Sequence, residues 1–151
     1  MFTLKEVVLW LHVLLACVWV GGMLSLVFVY APYLRRLPNK EQAFLYVGKR
    51  LSLLGTFISL PLLFVTGMAN AYLLNGWDVW FQKDSPYTRT LQVKLIFFGG
   101  IVAVSLLHDL YFGRRAFEGR FYRNMARMLG FLNMVLTLVV LFLAIKLRFG
   151  G

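Results

Sequence analysis

The chain is cut into four long apolar stretches by three short polar connectors, and this alternation limits what it can become. One bilayer crossing takes about 20 mostly apolar residues. Stretches of that kind run over 7–33, 51–74, 91–113 and 128–145. They use up most of the 151 residues, so no soluble domain is left over. The expected fold is all-α: a polytopic membrane four-helix bundle forming a single transmembrane domain over residues 1–151. Composition agrees, since 60% of the residues are apolar and the mean hydropathy is +0.74, against roughly 45–50% apolar in soluble domains.

The net charge of +10 would suggest nucleic acid in a soluble protein. Here the basic residues sit between apolar spans, so anionic lipid headgroups are the expected partner and nucleic acid is not. Connector 32–50 holds Arg35, Arg36, Lys40, Lys49 and Arg50; connector 113–127 holds Arg114, Arg115, Arg120, Arg123 and Arg127. The middle connector, 76–90, sets Lys83 and Arg89 against Asp78 and Asp84, and carries Trp77, Trp80, Phe81 and Tyr87 as an interface belt. Basic connectors face the cytoplasm. The expected topology is therefore two out–in–out helical hairpins in a bacterial-type inner membrane, with both termini outside. Phe44-x5-Arg50-Leu51 echoes Phe121-x5-Arg127-Met128, as a parallel repeat or as chance likeness between apolar hairpins. The first apolar run is too long for a cleaved signal, and Glu6 follows Lys5 directly.

Ionisable side chains inside a span are costly there and point to function. His12 and His108 lie inside spans, and Lys94 lies just inside the third. Helical spacing puts His12, Ala16, Trp19 and Met23 on one face, and Lys94, Phe98, Ile101, Ser105 and His108 on another. Span two carries the stripe Ser52, Thr56, Ser59, Leu63, Thr66, Asn70; span four carries Gly130, Asn133, Thr137 and Ala144. The plainer reading of the Ser, Thr, Gly and Asn positions is helix packing. At 1.5 Å per residue, His12 lies about 8 Å, Lys94 about 5 Å and His108 about 26 Å below the outer ends of their spans. Two polar layers follow: an outer one of His12, Thr66, Asn70 and Lys94, and an inner one of Met23, Ser52, Thr56, Ser105, His108 and Asn133. His12 and His108, about 18 Å apart in depth, are not expected to share one iron within a chain.

Other chemistry finds little support. A lone Cys17 excludes an intrachain disulfide and a CxxCH haem attachment. Copper(I) favours Cys and Met ligands, and the six methionines are scattered. No phosphate loop, nucleophile elbow or HExxH stands in the chain. Asp109 is the one acid near a span interior, so a hydrolase is not expected.

Residues 11–23 read LHVLLACVWVGGM, span two ends in Thr66-Gly67, and span three ends LLHDLYFGRR over 106–115. Together these resemble the copper resistance protein D (CopD) family across all four spans. The chain also resembles HemJ-type protoporphyrinogen oxidases, small membrane proteins that bind haem b. Their first-helix histidine falls on His12, the tryptophan on Trp19, an Arg-Leu pair on Arg50-Leu51 and a Lys-Leu pair on Lys94-Leu95. Two HemJ features are missing: residues 26–32 hold no histidine, and 126–129 lacks an Asn-Glu-x-Pro motif. The resemblance implies a membrane redox protein holding haem b in the bundle and passing electrons to a quinone or a respiratory or redox partner, with haem-dependent oxidoreductase activity as an open branch. The candidate cofactor contacts are His12, Lys94, His108, Asn70 and Arg50, with His12 and His108 as candidate metal ligands; His108 is either a second ligand in the inner layer or a proton-relay residue, and Lys94 either pairs with a propionate or snorkels to the headgroups. The alternatives are copper transport or handling, and a cofactor-free structural subunit of a respiratory complex. A homodimer fits any of the three.

Overall fold

The computed structural model describes residues 2–82 and 84–151; Lys83 of the middle connector lies outside the described residues. The structure is all-helical, with no strand among the described residues. Four helices are long and apolar enough to cross a membrane: α1 (Leu4–Leu34), α2 (Lys40–Asn75), α3 (Pro86–Phe112) and α4 (Arg120–Arg148). All four begin earlier than their apolar stretches: at 4 against 7, 40 against 51, 86 against 91 and 120 against 128. Hydropathy marks only the part of a helix suited to lipid. The added turns, such as KEQAFLYVGKR over 40–50, are polar sequences that continue the helix.

The ends are set by local chemistry. Thr3 caps α1 in a capping box with Glu6: the Thr3 amide donates to Glu6 Oε2 at 2.7 Å, and the Glu6 amide donates to Thr3 Oγ1 at 3.3 Å. Gly76, at φ +72°, ends α2 in a conformation that favours glycine. Pro86 opens α3, where its missing N–H is harmless. Thr88 Oγ1 donates to the Val79 carbonyl at 2.8 Å and ties the Trp77–Trp80 turn to α3.

Three of the four spans contain a π-helical stretch: Leu26–Tyr30, Leu53–Ser59 and His108–Phe112. Each closes on a bond that skips five residues: Ala31 to Leu26, Leu60 to Gly55, and Gly113 to His108. Two of the stretches end two residues before a proline, Pro32 and Pro61. A proline ring crowds the carbonyl four residues earlier. Widening the preceding turn relieves this, so the chain continues as helix through Pro32 to Leu34. Ser59 Oγ donates to the Leu54 carbonyl at 2.7 Å within the widened segment.

Packing is antiparallel and pairwise, α1 on α2 and α3 on α4, with the two pairs joined through α2 and α3. The three connections leave one end of the bundle with the termini and the middle connector, and the other with both basic connectors. Phe44 and Phe117 meet at 6.3 Å between ring centroids and bring those two connectors together. The middle of the bundle is an apolar core of Leu60, Leu63 and Ile101, covered by Leu15, Ala16, Trp19, Phe98, Leu136 and Val140 from all four helices. No residue of Leu4–Ser25 is fully buried, so α1 lies on the rim.

Candidate functional site

The polar residues of the spans gather in two clusters on either side of that core. At the terminal end, His12 Nδ1 lies 2.7 Å from Thr66 Oγ1. The same hydroxyl donates its one hydrogen to the Leu62 carbonyl at 2.7 Å, one turn back on α2. It can therefore only accept from His12, which makes Nδ1 the protonated nitrogen and leaves Nε2 with its lone pair. The Leu63 carbonyl also lies against the imidazole as an acceptor. The ring rests on α2 at Gly67, where an added Cβ would stand 3.2 Å from His12 Cε1. One turn further out, Asn70 Nδ2 is buried without a protein partner. Lys94 is half-buried on α3, near enough for its charge to act on His12.

Trp19, two turns along α1 from His12, makes a second and tighter contact of the same kind. A Cβ on Gly55 would come 2.7 Å from its ring carbons, so only glycine admits the indole there.

At the basic end, Asp109 is the hub. His108 Nδ1 donates to its Oδ1 at 2.7 Å; Ser52 and Thr56 donate to its Oδ2 at 2.8 and 2.5 Å. Ser52 and Thr56 stand one turn apart on α2 and face the carboxylate together. The π-turns Leu53–Ser59 and His108–Phe112 flank this contact. Such turns often accompany functional sites. The His108 ring is hemmed by two glycines: a Cβ on Gly113 would lie 3.4 Å from Cε1, and one on Gly130 would lie 3.9 Å from Nε2. Beside it, Asn133 Nδ2 donates to Ser105 Oγ at 3.0 Å.

The two clusters stay apart. Thr56 and Thr66 are ten residues from one another on α2, about 15 Å of helix, and the apolar core lies between. His12, Thr66, Asn70 and Lys94 share one end of the bundle, as their depths predict. His108 lies in the other cluster. Arg50 belongs to neither: it is exposed at the basic end over the Tyr46 ring at 5.6 Å, and about 25 Å of helix separates it from Gly67. Among the described residues, no group of three His, Cys, Asp or Glu side chains could hold a metal ion. Cys17 is exposed.

Sequence reasoning left Asp109 out of the site. The available signal was its standing as the one acid in a span interior, opposite two hydroxyls at helical spacing. The contact of Gly55 with Trp19 was missed as well.

No family model matches the chain, and no solved structure matches it. It is 45% identical over 151 residues to an uncharacterized protein of Aquifex aeolicus (strain VF5), with 99% of each chain covered. Identity of 45% over nearly the whole of both chains places them in one family, to which this protein belongs.

Proposed function

We propose that this is an integral membrane redox protein that binds haem b through His12, on a scaffold related to the CopD and HemJ-type proteins. The observation that carries the reading is the relay from the Leu62 carbonyl through Thr66 to His12 Nδ1. A metal-ligating histidine takes this form, with one ring N–H fixed on the protein and the other nitrogen offered to the metal. The neighbouring donors fit haem as well. Lys94 and the unpartnered Nδ2 of Asn70 suit acidic propionates, and Gly67 keeps side-chain bulk away from the imidazole.

Haem, when bound, supplies one-electron exchange at its iron. The chain's own residues do the rest. Thr66 fixes the tautomer and direction of His12. Lys94 offsets negative charge near the terminal end. The core around Leu60, Leu63 and Ile101 excludes water between the two clusters. A carrier dissolved in the bilayer, such as a quinone, or a membrane redox protein is the fitting electron partner. The basic end faces the cytoplasm, because ten of the sixteen Lys and Arg residues lie in its two connectors.

The absorption spectrum of the purified protein tests the cofactor. A Soret band with a haem b pyridine haemochrome supports the reading. A colourless protein with stoichiometric copper would turn it to copper handling at the same histidine, and a protein with neither would leave a structural subunit. Orientation is tested in a Cys17→Ala background. A membrane-impermeant thiol reagent should label Ser85→Cys from outside and reach Asn39→Cys only after the membrane is opened.

A further inference from the structure

The proposed redox centre makes no use of the basic-end cluster or of the polar face that α4 turns toward it. Gly130, Asn133 and Thr137 recur on one side of α4 at three and four residues. Gly130 stands over His108 Nε2 and brings no side chain to it. The His108 side chain keeps 31% of its exposure, so this opening of the cluster is not sealed.

One turn further in, Asn133 spends its Nδ2 on Ser105 and leaves Oδ1 buried with no protein partner. One turn beyond that, Thr137 Oγ1 is likewise buried and unpartnered. The two residues are 8% and 4% exposed. Trp19 Nε1 from α1 is the third such atom. Trp19 packs on the same core as Leu136, the neighbour of Thr137, and its ring lies on Gly55, the neighbour of Thr56. Buried polar atoms are almost always satisfied, by protein or by ordered water. Asn133 Oδ1 and Thr137 Oγ1 thus succeed one another along α4 from the mouth at His108 toward the middle of the bundle, where the Trp19 side chain packs on the apolar core.

We propose that the Gly130–Asn133–Thr137 face of α4 holds a file of ordered water, entered at the His108–Asp109 pair and ending at Trp19, that hydrates the bundle from the basic end as far as its middle. The file stops at Leu60, Leu63 and Ile101, short of the His12 cluster, and forms a half-channel rather than a pore. It requires no haem, so its test stands or falls separately from the cofactor reading.

Hydroxyl-radical footprinting by X-ray pulses labels side chains that touch ordered water even inside a protein. Applied to the full chain in lipid nanodiscs, it should oxidise Trp19. Asn133→Leu with Thr137→Val should lower that labelling about threefold or more, since both water ligands are gone. Labelling of Trp10 and Trp77 near the terminal end should not change. Thr137→Ser alone keeps the hydroxyl and should label like the wild type, which separates loss of water from loss of fold. Unlabelled Trp19 in the wild type would overturn the proposal, as would equal labelling in the double variant. In proteoliposomes under a valinomycin-imposed potential, a pore would pass protons continuously. The wild type should not exceed empty vesicles, and sustained flux would overturn the half-channel.

Discussion

The two clusters use the same device to opposite ends. In each, a histidine is held by a hydrogen bond from Nδ1, which leaves Nε2 for something else. At the terminal end the acceptor is a neutral hydroxyl already committed to a carbonyl. At the basic end it is a carboxylate that also gathers Ser52 and Thr56. A neutral acceptor orients the ring and adds no charge, which suits a ligand. A carboxylate places a charge inside the bundle and binds two helices to it. Removal of the first arrangement should do little harm to the fold, and removal of the second should do more. The tie, more than the histidine, thus separates the cluster proposed to serve a cofactor from the one that ties two helices together.

Substitution of the two histidines bears hardest on this contrast. His12→Ala should abolish haem in a protein that still inserts, whereas His108→Ala should keep the haem content and its spectrum. Pyridine haemochrome assay and visible spectra of both variants check this, and matching losses would mean one shared centre. Next in size is Asp109→Ala. It leaves three donors without their acceptor, and a buried donor left unsatisfied costs about 1–3 kcal/mol; thermal unfolding in nanodiscs should show it, with Asp109→Asn milder.

Gly55→Ala comes third. The new Cβ meets the Trp19 ring, and overpacking of this kind costs about 1–3 kcal/mol. A lower melting point should accompany a shift in tryptophan emission. Thr66→Val is the mildest for stability, at about 1 kcal/mol for one hydrogen bond, yet loss of such a ligand-orienting partner weakens cofactor affinity about 10–100-fold. Haem titration against melting temperature in that variant separates the two effects. Retained affinity would mean that Thr66 packs and does not orient.

Much of this layout is legible in the sequence, because hydropathy and the 3.6-residue period both survive in a membrane helix. The four spans, the common level of His12, Thr66, Asn70 and Lys94, and the separate level of His108 with Ser52, Thr56 and Asn133 follow from counting residues. What escapes counting is anything that breaks the period. His108 and Asp109 are adjacent and would point about 100° apart on a regular helix. Their mutual bond, and the turn of the carboxylate toward α2, belong to a widened turn that no composition announces. The Gly55 notch is invisible because the sequence does not say that an indole from another helix lies over it. Arg50 entered the candidate site through a family motif, and the motif carries no depth; residue counting alone would have kept it at the basic end.

The widened turns bear on how long these helices have to be. A π-turn holds one residue more than the α-helix needs, and the helical faces before and after it keep their alignment. Deleting a residue within Leu53–Ser59 should let that turn relax to α and leave Ser52 and Thr66 aimed as before. Deleting one elsewhere between them, beyond Pro61, would swing one half of α2 by about 100° against the other and pull one cluster out of register. The three π-turns are thus the points where a span can lose a residue and keep its faces.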